Sequence, residues 1–562
     1  MGLLAYLKGR TLFFTTSPRS PLKMVPEIEV LDKYFSGKKW NTEIQVAFIK
    51  KLAEGSAFEG KGSDKDLALS ARDRITRAPK ALGFVDLKPT IRLTEPGEKL
   101  IKGKRTEEVL LRQLLKFQLP SPYHKEPKEF DGLFCVKPYL EILRLIYELG
   151  TLSFDELMIY GMQLTHYNKF NTIVAEVKQF RRLRMYAKVS YKKFKVEQIQ
   201  KEVERIYEND IQLGQTKTRE STDKSREKFV ETKASNMRDY ADACFRYLRA
   251  TGLVEISQRG HSLSIMPEKK TEVEFILENI DRKPIFVDDE DEYKKYLFNS
   301  ELPVLYTDDK NRLLEQVKNV IGENDNVDKL STDDLKELLD NAIENKKNDI
   351  VNQQVKSLKE YKAYDDVMTT FMDIKNNSLY DAPLMLEWNT WRAMTMLDGG
   401  NIKANLKLDD KGQPMSTAAG NMADIICDYE DFGLTVEVTM QSGQRQYEME
   451  GEPVSRHLAK LKKETGKEAY CLFIAPKINE SCIAYFYALH TMNIAFYGGK
   501  SVIIPMELDV FINMVEQSYK ADYAPDASQV KALFEYSLEQ AKIANDENEW
   551  YAKVKNKALN WL

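Results

Sequence analysis

Apolar residues recur at helical spacing through the first two-thirds of the chain and gather into short β-rich runs in the last third. In VKPYLEILRLIYELGTLSFDELMIYG, Leu140, Leu143, Ile146, Tyr147 and Leu149 share one helical face. Gly150 ends that helix, and Ser153 supplies the N-cap of the next. Two other segments repeat the order helix, glycine, β-rich stretch. One passes through Ala71, Arg74, Leu82, Gly83, Phe84 and Val85 into IRLTEPGEKLI, where Thr94, Glu95 and Gly97 mark a strand entering a helix. The other is NMRDYADACFRYLRATGLVEISQRGHSLSIM, with a helix ending at Gly252 and two strands flanking the turn Gln258-Arg259-Gly260. Helix–turn–helix followed by a β-hairpin is the winged-helix arrangement, which reads the major groove with one helix and lays its wing along the backbone. Three such patterns predict DNA-recognition subdomains over residues 1–175 and 176–285.

From 286 to 376 the pattern is charged, helical and poor in proline, with Ser331-Thr332-Asp333-Asp334 as a cap region, which predicts a helical linker. Asn376-Asn377-Ser378 and Pro383 mark its end. Residues 377–562 then read as an α/β domain. Met422–Cys427 and Leu434–Met440 are β-rich runs with Glu430, Asp431 and Gly433 between them. A helix follows from Pro453 to Thr465, then the strand AYCLFIAP, a helix over Cys482–Met492 and the strand SVIIPM. The fold expected is multidomain α+β: winged-helix-like subdomains, a helical linker and a C-terminal α/β domain.

Composition changes this picture little. With 43% apolar and 30% charged residues over 562 positions, the chain is globular rather than disordered. No apolar run spans a bilayer and no signal-peptide cleavage pattern follows Leu12-Phe13-Phe14, so a cytoplasmic protein is expected. The five cysteines have no CxxC spacing, which argues for reduced thiols over a zinc site. A net charge of −4 does not announce a polyanion partner, but its distribution does more. Lys178–Lys195, KQFRRLRMYAKVSYKKFK, carries eight basic residues and no acidic one, with aromatics interleaved. Such a stretch suits a phosphate backbone or a solvated helix face equally well.

The candidate chemistry lies in the last third. Asp424 borders the first β-run and Glu437 lies inside the second, in VEVT. If the runs form a hairpin, two hard oxygen ligands converge with open positions, a set that suits Mg²⁺. Glu387 in LEWNTW lies upstream, and Glu450 follows Glu437 by the interval that separates Glu437 from Asp424. Placing Pro453 in the first helical turn sets Glu450 just before the helix and His457 on it, where a neutral imidazole can take a proton from water. Spacing alone supports only a candidate metal site; Trp388 and Trp391 read as core.

The blocks LEWNTW, AAGNMADI, YEDF, VEVT, YEMEGEPVSRH and YCLFIAP occur in this order. With SPRSP, ARDR, LLRQLLKFQLPS and NMRDYADACFRYLRATGL upstream, the chain resembles, nearly end to end, the AlwI family of type IIS restriction endonucleases, a group that includes strand-specific nicking enzymes. The resemblance implies an N-terminal recognition region, a linker and a nuclease domain similar to the PD-(D/E)xK fold. It implies Asp424 and Glu437 as Mg²⁺-binding carboxylates, with Glu387, Glu450 and His457 completing the catalytic set. The motif's lysine is missing, and Thr439 stands in its place. Arg19, Arg72, Arg74, Lys80, Arg238 and Arg246 lie in matching blocks and are the candidates for contact with double-stranded DNA, some to bases and some to phosphates. Arg112 and His124 are weaker candidates, since capping or core roles fit them equally. The function expected is Mg²⁺-dependent cleavage at a fixed distance outside a short asymmetric site, leaving 5′-phosphate ends. One centre cuts one strand, so a transient homodimer or a second nuclease subunit would cut the other. The alternatives are a nicking endonuclease of the same family and a non-enzymatic winged-helix DNA-binding protein.

Overall fold

The computed structural model describes residues 3–54, 66–130, 132–257, 261–322, 327–398, 400–409, 411–417, 422–521 and 525–562. The chain divides into two compact units, Met1–Ala342 and Ile343–Leu562. The division falls within one continuous helix, Thr332–Lys359, inside the stretch read as helical linker.

In the first unit the predicted helices form where the apolar spacing places them. α1 (Pro138–Leu149) buries Leu140, Leu143 and Ile146, and it ends at Gly150, whose φ of 74° favours a residue without Cβ. Next come strand β1 (Thr151–Ser153) and α2 (Phe154–Ile159), which opens with a full capping box between Ser153 and Glu156. Residues 160–225 follow, carrying α3 (Phe170–Tyr186) and α4 (Tyr191–Ile206). The long α5 (Arg226–Arg249) leads into β2 (Val254–Ile256) and β3 (Ser262–Ile265).

Here the structure revises the count of repeats. β1 pairs antiparallel with β3, and β3 with β2, in one sheet of order β1-β3-β2. The second and third sequence patterns are therefore two halves of a single module, split by residues 160–225. Periodicity within a window cannot see a pairing across a hundred residues. The expected turn Gln258-Arg259-Gly260 lies outside the described residues. The first pattern stands apart: helix Leu67–Thr76, the two-residue strands Val85–Asp86 and Arg92–Leu93, and helix Glu95–Ile101, N-capped by Thr94.

The second unit centres on a mixed five-stranded sheet. α6 (Ala382–Asp398) precedes β4 (Asn401–Ala404), β5 (Ile425–Asp428) and β6 (Phe432–Val438). After these come α7 (Gln444–Thr465), β7 (Glu468–Ala475), α8 (Glu480–Thr491) and β8 (Ile503–Glu507). The sheet order is β8-β7-β6-β5-β4; β6, β7 and β8 run parallel, while β5 is antiparallel to both its neighbours. Parallel neighbours need crossover helices, which α7 and α8 supply. β6 is buried along its whole length, which explains its near-continuous apolar run. Glu437 is the charged exception in that run.

Among the described residues no helix is long and apolar enough to cross a membrane. None of the five cysteines is joined in a disulfide among the described residues. Trp388 and Trp391 are core, and the Trp391 indole N–H donates to the Ile402 carbonyl at 3.0 Å.

Candidate active site

β5 and β6 form the hairpin on which the convergence of the two acids depends. Their register sets Ile425 opposite Val436, so the next step brings Asp424 against Glu437. The Val438 N–H donates to Asp424 Oδ2 at 2.8 Å, and the main-chain N–H of Asp424 in turn serves the Glu437 carboxylate. Each backbone thus holds the other strand's acid.

α7 begins earlier than proline chemistry predicts. It runs from Gln444, with Pro453 inside it, so Glu450 lies on the helix rather than before it. An internal proline deprives the carbonyl four residues back of its partner. That residue is Met449, which is exposed, so water can take the bond. Gly443, at φ 62° and ψ −160°, turns the chain into the helix in a conformation a Cβ would oppose. Buried Gln446 then fastens the first turn. Its Nε2 donates to the Gln441 and Lys477 carbonyls, both at 2.9 Å, and its Oε1 accepts from the Asn479 N–H at 2.7 Å. The sequence reading missed Gln446, because nothing local marks a glutamine whose three partners come from two other loops.

The earlier start matters. Glu450 and His457 are seven residues apart, two turns along one face of α7, and both meet the hairpin. His457 Nδ1 lies 2.8 Å from Glu437 Oε1. The Thr439 hydroxyl, at the position of the absent lysine, hydrogen-bonds the Glu450 carboxylate. Glu387 is half-buried on α6, which packs against β4 and β6.

Electrostatically this is a strained set. Burial pushes the Asp424 carboxyl well above the ordinary carboxylate range, and the charge of Glu437 adds to it. Burial and then Glu450 raise Glu437 in the same way. Burial also raises Glu450, against the Thr439 hydroxyl and nearby His457. Burial lowers His457, assisted by Arg456, so its neutral form is favoured. Where a bound cation keeps Glu437 ionised, that carboxylate only accepts, so the proton of a neutral His457 then belongs on Nδ1 and Nε2 is left as an acceptor. Among the described residues no group of three His, Cys, Asp or Glu side chains is close enough to hold a metal ion unaided. A two-carboxylate donor set still fits Mg²⁺, which commonly keeps several waters and binds through one or two carboxylates plus substrate phosphate.

The candidate DNA-contacting residues divide sharply. Arg19 pairs with Asp239 at 2.7 Å and lies 3.8 Å from Asp242, which also holds Arg246 at 3.2 Å. Arg74 pairs with Glu27. Lys80 stacks 4.6 Å from the Tyr123 ring centre, its pKa lowered by burial and by Lys88. Arg72 and Arg238 are exposed and make no ion pair among the described residues. Arg112 is buried between Glu108 and Asp308 and donates to the Glu301 and Pro303 carbonyls. His124 is packed against Phe13 and Phe117 and is pushed down to about 4 by burial. For these last two the structural role is the one observed.

Comparison with known proteins bears on most of the chain. No curated protein matches it. Among solved structures, the small subunit (R.BspD6I2) of the heterodimeric restriction endonuclease R.BspD6I is 26% identical over 34% of this chain and 98% of its own, with a TM-score of 0.29. The BpuJ1 endonuclease binding domain, solved with pyrene- and phenanthrene-modified DNA, is 15% identical over 49% of this chain and 90% of its own, with a TM-score of 0.33. The sequence model of the AlwI restriction endonuclease family matches residues 80–514. That match spans most of the 562 residues, from Lys80 through Arg238, Arg246 and the carboxylate cluster, and the chain belongs to the AlwI restriction endonuclease family of type II restriction enzymes.

Proposed function

We propose that the chain is a type IIS nuclease that binds a short asymmetric site in double-stranded DNA and hydrolyses phosphodiester bonds at a fixed distance outside it. The observation that carries this reading is the convergence of Asp424, Glu437, Glu450 and His457 on one hairpin and one helix face. Asp424 and Glu437 would hold Mg²⁺, with Glu387 and Glu450 completing the acidic wall. The ion supplies a lowered water pKa, polarisation of the phosphate and charge neutralisation at the leaving oxygen. His457, anchored through Nδ1 to Glu437, presents Nε2 to take the proton of the attacking water. Water attacks phosphorus and the 3′ oxygen departs, which leaves a 5′-phosphate. Thr439 replaces the usual lysine by positioning Glu450 rather than by adding charge. This unit takes the PD-(D/E)xK role.

For recognition, α1, β1, α2, α5 and the β2–β3 hairpin have the order and pairing of a winged helix, with α5 as the reading helix. Exposed Arg238 on α5 and Arg72 are the favoured base or phosphate contacts; Arg19, Arg246, Arg74 and Lys80 would act only by exchanging an internal partner for DNA. The helical stretch 286–376 would set the offset between reading and cutting. Cysteines without disulfides suit a reducing cytoplasm.

A nicking enzyme of the same family is the second reading, since one centre built on this hairpin cuts one strand. A transient homodimer or a second nuclease subunit would supply the other cut. Digestion of supercoiled plasmid with purified protein and Mg²⁺, then run-off sequencing of both strands, separates these outcomes. Open circles mean nicking, and linear product with ends at a fixed offset means double-strand cleavage. No cleavage of any plasmid would overturn the nuclease reading and leave a DNA-binding protein.

A further inference from the structure

The segment inserted between α2 and α5 ends in a tip, residues 182–193, that is exposed at every position but Ala187, with the Tyr191 hydroxyl donating to Asp155 of α2 at 2.5 Å. α3 buries Phe170, Ile173, Val174, Val177 and Phe180 in an unbroken stripe. It then continues six residues to Tyr186, about 9 Å of helix beyond its last buried side chain. α4 returns, and its first buried residue is Phe194, whose ring lies 5.4 Å from that of Phe180. These two rings close the base of the hairpin. Between them Leu183 is 43% exposed, Met185 71%, Tyr186 77% and Val189 40%.

The cations of this segment divide at the same level. At the base, Lys178 lies 3.8 Å from Glu148, Arg181 2.7 Å from Glu156 and Lys195 3.5 Å from Asp155. Beyond it, Arg182, Arg184, Lys188, Lys192 and Lys193 have no acidic partner among the described residues, and no acid occurs between 182 and 193. Arg184 lies over the Tyr191 ring at 4.3 Å. A solvated helix face would carry neither Met185 and Tyr186 at such exposure nor five cations without one anion. Duplex DNA answers both features together: phosphates for the cations, and a groove whose base steps accept apolar wedges.

We infer that this tip is a second DNA-contacting element, docking on the duplex with Lys188, Lys192 and Lys193 on phosphates and Met185 and Tyr186 entering the minor groove. The inference rests on the DNA-cleaving function proposed above. It assigns the tip to sequence-independent grip and bending, distinct from base reading by α5.

The test uses the full-length protein with a labelled duplex carrying the site mapped by plasmid cleavage, in Ca²⁺ so that binding is read without cutting. The triple variant Lys188→Gln, Lys192→Gln, Lys193→Gln should flatten the slope of log affinity against log salt by roughly 2 to 3, near 0.9 for each phosphate no longer neutralised. The double variant Met185→Ser, Tyr186→Ser should keep that slope, lose about tenfold in affinity and reduce the bend measured by end-to-end energy transfer. Both should melt as the wild type does and cut at the same position in Mg²⁺. Variants that bind with wild-type slope, affinity and bend overturn the inference while wild-type cleavage leaves the underlying function standing. Loss of self-association with DNA binding unchanged also overturns it, in favour of a contact between copies. A wild-type protein that neither binds nor cuts any duplex overturns the function on which the inference rests.

Discussion

Glu141 in the first unit and Glu437 in the second are both buried acids, and their surroundings are opposite. Glu141 is fully buried, yet Arg282 clasps it bidentately at 2.6 and 2.7 Å. Glu27 with Arg74, and Arg112 with Glu108 and Asp308, follow the same rule. In the second unit, Glu437 faces Asp424 and Glu450, and the side chain bonded to it is a histidine whose burial favours the neutral form. A fold can bury charge cheaply only against opposite charge. Like charges gathered out of water oppose folding unless a proton or a cation joins them. The first unit therefore uses these buried acids as ties, while the second keeps an unmet electrostatic demand at one point.

The strongest break of this contrast is Asp424→Asn. Asparagine retains an oxygen for the Val438 N–H but removes one like charge. Cleavage in Mg²⁺ should fall by about 10³-fold or more, since losing a metal-binding carboxylate removes several kcal/mol of transition-state stabilisation. Specific binding in Ca²⁺ should persist. The same variant should be more heat-stable than wild type in EDTA at neutral pH. The sign follows from linkage: a carboxyl raised by folding takes up a proton on folding, so metal-free stability falls as pH rises from the ordinary carboxylate value toward the folded one. Removing the group removes that fall. Thermal melts across pH in EDTA and in Mg²⁺ read it, and a variant less stable than wild type in both would show that Asp424 is a tie like the acids of the first unit.

Arg282→Ala is the converse experiment. It leaves Glu141 buried without its cation, and breaking such a pair costs about 3–5 kcal/mol. Denaturant unfolding should show that loss with or without Mg²⁺, and a loss confined to EDTA would contradict the division of roles.

Much of this contrast was legible in the sequence, though unevenly. The β5–β6 hairpin and its two acids followed from alternating β-rich runs and a turn, because a hairpin is local. The presence and order of β7, α8 and β8 were equally plain, though each end lies one or two residues from where the sequence reading set it. Two things were not. The pairing of β1 with β3 joins residues more than a hundred positions apart, and no periodic pattern encodes a partner. The start of α7 was misread because Pro453 is a strong local signal, whereas Gln446, which overrides it, acts through Gln441, Lys477 and Asn479. The arginines show the same limit. The sequence offers six basic residues as candidates for DNA, and only geometry shows which already hold an acid.

Acid titration extends the comparison to a charge that neither unit tolerates. His124 in the first unit and His490 in the second are both pushed down to about 4, in each case chiefly by burial. Above pH 6.5 neither affects stability. As pH falls below that, the unfolded chain takes up protons that the folded units refuse, so each unit should lose up to about 3 kcal/mol by pH 4. His490 accepts this through a neutral ring bonded to the Phe486 carbonyl and the Ser537 hydroxyl at 2.8 and 3.1 Å. Replacing His124 by Phe should flatten the acid limb of the first unit's melt alone, and His490→Phe that of the second. A flattening shared by both would show that the units do not unfold independently.

The smallest expected effects test which free cations of the first unit do for DNA what Arg282 does for Glu141. Arg238 and Arg72 are exposed and make no ion pair among the described residues, so neither contributes to folding, and their substitution by alanine should leave the melt unchanged. If Arg238 reads a base from α5, Arg238→Ala should cost about 1–3 kcal/mol in binding to the mapped site and relax preference at one position. If it meets a phosphate, the loss should be similar on every sequence and the salt slope should flatten by about 0.9. Arg19→Ala is the internal control, because its guanidinium already lies between Asp239 and Asp242. Losing it should lower stability more than affinity. Should Arg19→Ala instead weaken binding more than Arg238→Ala does, then Asp239 and Asp242 only park that arginine in the free protein, and the ties of the first unit would include one that DNA is meant to break.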